Sequence, residues 1–216
     1  MIFHPLNNPS DHTFYTYENL KLYSLAKGTE RFCFLDPTDS HFIIKLSEQK
    51  RAKQTLREIK YFSFLKRHNI PFTHLAAIKQ IIQNPEYIGF IQQRICNEDG
   101  SPSVSLKACL DNPFSDIKEL LAELIRYMYR YNILPCDLQT DNILVQQNKN
   151  HKKLFLIDGL GCTDFINIAQ YYPWLGRKKI LRKFLYFLTT DAHLKSIFPD
   201  EKQTKCWLHQ LVNDIK

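Results

Sequence analysis

The sequence predicts an α+β protein in which a small β-rich front half precedes a mostly helical back half. Three observations carry this reading. Residues 20–46 alternate short apolar runs with turn chemistry, as strands do. Residues 116–131 place Ile117, Leu120, Leu121, Leu124, Ile125 and Met128 on one helical stripe. Between the halves, Asn97-Glu98-Asp99-Gly100-Ser101-Pro102 is polar and holds glycine and proline together, a linker composition.

The elements follow in order. Leu20–Ala26 and Arg31–Leu35 read as strands around the turn Lys27-Gly28-Thr29-Glu30. Asp36-Pro37-Thr38-Asp39-Ser40 is a second turn, leading to a strand His41–Leu46 that carries Lys45. Ser47 is placed as the cap of a helix reaching Arg67, with Leu56, Ile59, Phe62 and Leu65 on its apolar face and Glu58 on the same side. Pro71 ends that element, and strands follow near Leu75–Ile82 and Tyr87–Gln92. The amphipathic helix of the back half precedes a hairpin, Ile143–Gln146 with Leu154–Ile157, and the chain after about residue 170 reads as helical. These elements divide one domain into two lobes, residues 1–95 and 96–216.

Composition bounds the function. The chain has 216 residues and an apolar fraction of 44%, enough for a packed core. No secretory signal is expected from Met1-Ile2-Phe3-His4-Pro5, and no run of apolar residues is long enough to span a bilayer. The six cysteines lack C-x-x-C spacing and the eight histidines do not pair at ligand spacing. Free thiols in a reducing cytoplasm are therefore expected rather than a zinc site. The formal charge of +7 attracts anions, but no nucleic-acid motif accompanies it, so no nucleic acid is expected as a partner.

The chemistry concentrates in Cys136-Asp137-Leu138-Gln139-Thr140-Asp141-Asn142, which reads D-x-x-x-x-N before an apolar strand. A second apolar strand then ends in Asp158-Gly159-Leu160-Gly161. That is the order of parts in a kinase-fold phosphotransfer site. Asp137 is the group to orient or deprotonate an acceptor hydroxyl. Asn142 and Asp158 offer the hard oxygen donors that magnesium takes. Each residue alone also fits turn chemistry; their order beside a long helix and a hairpin makes the pattern specific.

Lys45 is the candidate to hold the α- and β-phosphates of ATP, with Glu58 as its brace, because a buried lysine needs an anionic partner. Gly28 is the one glycine of the first hairpin; it permits a close phosphate approach and equally suits an ordinary turn. Gln139 stands where protein kinases usually carry lysine, so stabilisation of the transferring phosphoryl group is expected to be weaker. Cys136 and Pro135 likewise replace the arginine and histidine common in protein kinases. Finally, Arg177, Lys178, Lys179, Arg182 and Lys183 interleave with apolar residues, which suits a core-packed helix with solvated lysines or a weak contact with anionic lipid.

With these residues in place, the chain resembles the PhoP regulatory network YrbL family, whose fold is kinase-like. The resemblance rests on Gly28 with Arg31 and Cys33, Ile44-Lys45, Arg57-Glu58-Ile59-Lys60-Tyr61, Asp137-Leu138 with Asn142-Ile143-Leu144, and Asp158-Gly159-Leu160-Gly161 with Phe165-Ile166. It implies a compact two-lobed protein-kinase-like fold with a shortened C-lobe, acting in the bacterial cytoplasm, and it supplies no acceptor substrate. The segment after Asp158 has no A-P-E motif, so peptide-docking helices are expected to be reduced. The expected activity is an atypical ATP- and Mg2+-dependent phosphotransfer onto an unidentified acceptor. The alternative is a pseudokinase that binds nucleotide as a regulatory module.

Overall fold

The computed structural model describes residues 13–28, 30–111, 116–149, 151–161, 168–213 and 215. The chain forms two compact units. The first comprises residues up to Asn69 together with Ala76–Arg94; the second comprises Ile70–Leu75 and everything from Ile95 onward. Thr29, Cys162, Phe165 and Ile166 lie outside the described residues.

The first unit is built on a five-stranded antiparallel sheet in the order β1-β2-β3-β5-β4. Its strands are β1 (Ser24–Lys27), β2 (Phe32–Leu35), β3 (Phe42–Glu48), β4 (Ile78–Gln83) and β5 (Tyr87–Gln93). The first strand starts later than the apolar run suggested. Thr16 accepts a hydrogen bond from the Asn19 N–H, capping a one-turn helix α1 (Tyr17–Leu20), and a 3-10 turn fills Lys21–Tyr23. Leu20 is thereby buried with Tyr15, Phe34, Ile44, Leu46, Ile82 and Ile91 in the core.

Helix α2 (Lys53–Arg67) corrects two expectations. Ser47 does not cap it: Ser47 is still in β3, and its hydroxyl shares a 2.7 Å hydrogen bond with Thr55. The buried face is also rotated from the expected one. Thr55, Glu58, Tyr61, Phe62 and Leu65 are buried, whereas Leu56 is 39% exposed. Polar partners on the sheet explain the rotation. Ser47 receives Thr55, and Arg31 receives Glu58, so burying these two side chains leaves no unsatisfied group.

The second unit contains β6 (Val104–Ser105), β7 (Ile143–Gln147) and β8 (Lys152–Leu156), paired antiparallel in that order. Its helices are α3 (Leu106–Leu110), α4 (Ile117–Arg130), α5 (Ile168–Tyr171), α6 (Pro173–Thr190) and α7 (Glu201–Val212). All six apolar residues of the expected α4 stripe are buried. The polar stretch 97–102 is a tight turn rather than a loose linker. Asn97 N–H donates to the Ser101 carbonyl, Asp99 Oδ1 accepts from Ser101 N–H, and Asn97 Oδ1 accepts from Gln147 N–H on β7. Asn and Asp side chains closing local turns explain why a linker composition here folds. Among the described residues no helix is long and apolar enough to cross a membrane.

Residues 70–75 join this unit through His74. The buried His74 ring donates from Nδ1 to the Leu154 carbonyl (2.9 Å), while Nε2 lies 3.3 Å from Glu123, and Leu75 bridges Leu156. Burial pushes the His74 pKa below its ordinary value; the nearby Glu123 opposes the shift, and Lys153 adds to it. Because the folded pKa is depressed, the unfolded chain binds the extra proton. This contribution is therefore complete above the ordinary pKa and is lost as pH falls below it. The resistance of the second unit to urea is expected to weaken below about pH 6.5. A His74→Gln variant should lose that part of the slope; an unchanged slope would refute the assignment to His74.

Candidate functional site

The sequence-assigned residues divide between the units. Gly28, Lys45 and Glu58 belong to the first; Asp137, Gln139, Asn142 and Asp158 belong to the second.

In the first unit, β3 carries Lys45 opposite Cys33 on β2 and Phe90 on β5. Lys45 is 2% exposed, and its Nζ lies 5.9 Å from the centre of the Phe90 ring. Gly89 permits this close strand pairing, because a Cβ there would overlap the Lys45 carbonyl oxygen. Glu58, 1% exposed, is bound by the guanidinium Nη1 of Arg31, itself 5% exposed. Arg31 also lies over Phe90, 5.8 Å from the ring centre. Two buried cations thus flank one aromatic ring beside a buried carboxylate. Arg31 had no assigned role from sequence, because its partner Glu58 lies 27 residues away and no local spacing reports the pair. Gly28 uses its N–H to donate to the Arg31 carbonyl at 2.7 Å. An added Cβ there would make only an ordinary contact, so this turn does not demand glycine.

In the second unit, the loop after α4 is stitched to the turn after β8. The N–H groups of Cys136 and Asp137 both donate to the Gly159 carbonyl, and Gly161 N–H donates to the Leu134 carbonyl. Gly159 and Gly161 adopt φ of 74° and 102°, and a Cβ on Gly159 would overlap the Asp137 carbonyl oxygen. A 3-10 turn, Thr140–Asn142, then leads into β7, where the Asn142 carbonyl accepts from Ile157 N–H. These bonds bring Asp137, Asn142 and the Asp158-Gly159 turn together.

The side chains are oriented by hydrogen bonds. Asn142 Nδ2 donates to the Asp137 carbonyl (3.3 Å), which turns the amide oxygen elsewhere as a potential ligand. Asp158 Oδ1 accepts from Gly159 N–H at 2.7 Å. Asp137 and Gln139 are exposed, and Gln139 Nε2 donates to both Asp137 carboxylate oxygens, at 3.0 and 3.1 Å. Among the described residues no three His, Cys, Asp or Glu groups converge. Asp158 and Asn142 are hard oxygen donors, the kind magnesium takes alongside waters and substrate phosphates.

Two anchors of this loop were not legible as such. Lys183 on α6 donates from Nζ to the Cys136 carbonyl at 3.1 Å, and Thr140 Oγ1 donates to Asp191 at the end of α6 (3.3 Å). Arg177 also turns inward, donating to the Tyr129 carbonyl and lying over the Tyr129 ring. The basic segment is therefore divided between structural and surface roles.

A family model described as PhoP regulatory network protein YrbL matches residues 20–191. The chain belongs to the YrbL family. The matched span contains every residue assigned above in both units, while α7 lies beyond it. No curated protein matches the chain. Among solved structures, the chain is similar to the protein kinase Rad53, residues 1–466, in a complex with AMP-PNP. The TM-score is 0.54 at 15% identity, covering 87% of this chain and 50% of that one. The fold of this YrbL-family member is thus α+β and protein-kinase-like, and the chain corresponds to half the length of that kinase chain.

Proposed function

We propose that this YrbL-family chain is a small, atypical phosphotransferase that uses ATP and magnesium, with a small molecule, sugar, lipid or protein as acceptor. The observation that carries the reading is the convergence of Asp137, Asn142 and the Asp158-Gly159 turn through the Gly159 carbonyl. Magnesium, when bound, would neutralise charge on the nucleotide phosphates. The Asp158 carboxylate and the Asn142 amide oxygen would hold it. Asp137, exposed beside them, would orient the acceptor hydroxyl and take its proton. Lys45, with Arg31 and Glu58 in its own unit, would hold the α- and β-phosphates.

The test is magnesium-dependent ATP binding and phosphoryl transfer, for the wild type and Asp158→Ala. Asp158→Ala is expected to abolish the magnesium-dependent part of binding while the chain stays folded. Wild-type protein that binds no nucleotide would refute the proposal.

A second reading, a nucleotide-binding pseudokinase, is favoured by one contact. The Gln139 amide occupies both oxygens of Asp137, the atoms that would receive the acceptor proton. In this reading Gln139→Ala leaves transfer at background across a broad acceptor panel although ATP still binds. In the catalytic reading, wild type transfers phosphoryl to at least one acceptor and Asp137→Asn does not.

A further inference from the structure

Helices α6 and α7 pack together in the second unit and leave an open groove of about 280 Å³ between them. Its floor is Leu181, Leu185 and Leu208; its walls are Lys178, Arg182, Lys205 and His209. Among the described residues lining it, none is acidic. The α6 side is a single stripe, since Lys178, Leu181, Arg182 and Leu185 follow Trp174 at i+4, i+7, i+8 and i+11. On α7, Lys205, Leu208 and His209 follow the same spacing.

Trp174 extends this stripe beyond the groove. It is 59% exposed, with Lys178 Nζ 5.2 Å from the centre of its ring. Ile168, Tyr171 and Tyr172 are exposed just before it on the chain. Large apolar side chains in contact with water mark a surface that something covers. Tryptophan and tyrosine settle at the level of lipid headgroups, and basic residues beside them are drawn to anionic lipid.

We propose that the α6–α7 face docks on an anionic lipid surface. Lys178, Arg182 and Lys205 engage the phosphates, and Trp174 and the groove leucines meet the headgroup–acyl boundary. Positive walls, an apolar floor and an adjoining Trp/Tyr cluster match the two kinds of chemistry that such a surface offers together. The proposal also changes which residues matter. Arg177 and Lys183 are turned toward α4 and the Asp137 loop, while Lys205 and His209 complete the surface from a different helix.

The experiment is sedimentation of the full chain with phosphatidylcholine vesicles, with and without phosphatidylglycerol. The protein has two tryptophans, so Trp207→Phe makes Trp174 the sole reporter. The expected result is partitioning onto phosphatidylglycerol vesicles, weakened by salt, with a blue shift of Trp174 emission. Each basic residue near an anionic surface strengthens binding about fivefold, so Lys178→Gln with Arg182→Gln should weaken it roughly thirtyfold. Lys178→Arg with Arg182→Lys should retain it. Wild type that ignores anionic vesicles overturns the proposal, as does a neutralised variant that binds like wild type. Binding to polyglutamate without binding to vesicles also overturns it, by assigning the groove to an acidic protein segment.

Discussion

Replacing Arg31 with methionine is expected to destabilise the first unit by about 3–5 kcal/mol, the usual cost of removing one partner from a buried ion pair. Arg31 and Glu58 are both nearly inaccessible, and their side chains join the residue before β2 to α2. Methionine keeps most of the volume but leaves a buried carboxylate without its guanidinium. The companion variant separates charge from packing. Arg31→Met with Glu58→Gln removes both charges of the pair while keeping polar atoms beside the buried Lys45, so it should recover part of the loss. Both tryptophans, Trp174 and Trp207, lie in the second unit, so their fluorescence is blind to this change. Hydrogen exchange at the β2 and β3 amides is the appropriate measurement. If Arg31→Met leaves that protection intact, the pair contributes nothing to stability.

Gly159→Ala is expected to cost on the order of 2–5 kcal/mol in the second unit, from the left-handed backbone and from overlap with the Asp137 carbonyl. The overlapping atom is backbone, held by its own loop, so it cannot swing aside as a flexible side chain would. Gly100→Ala supplies the comparison. Gly100 has a similar φ of 82°, yet a Cβ there meets nothing within 4 Å. It should cost only the conformational part, about 1–2 kcal/mol. Urea unfolding followed by tryptophan fluorescence measures both, and equal losses would disprove the role assigned to the Asp137 contact. Under the proposed function, Gly159→Ala also displaces Asp158 and Asp137 and should abolish magnesium-dependent ATP binding.

Some of this architecture was legible because it is written locally. The α4 stripe needs only neighbours three and four residues apart, and all six expected residues are buried. The hairpin of β7 and β8 follows from two apolar runs around a polar turn, and the tight turn at Asp158 from an apolar run ending in Asp-Gly. Where local signals misled, a distant partner had overruled them. Ser47 resembled a helix cap, but Thr55 claims its hydroxyl inside the sheet–helix interface. Leu56 belonged to an apolar series, but α2 turned to bury Thr55 in its place, while Glu58 is buried as expected.

The sequence by itself determined the order of the main strands and long helices, the positions of Lys45, Asp137, Asn142 and Asp158, and membership in a kinase-like family. These depend on short-range spacing, turn residues and motif order. Tertiary structure alone decided that Arg31 holds Glu58 and that Gln139 covers the Asp137 carboxylate. It also decided that Lys183 anchors the loop while Lys178 and Arg182 face the groove. The physical reason is separation along the chain. Arg31 and Glu58 are 27 residues apart, and Lys183 and Cys136 are 47 apart. No periodicity reports such pairs; packing creates them, and burial then makes them costly to break.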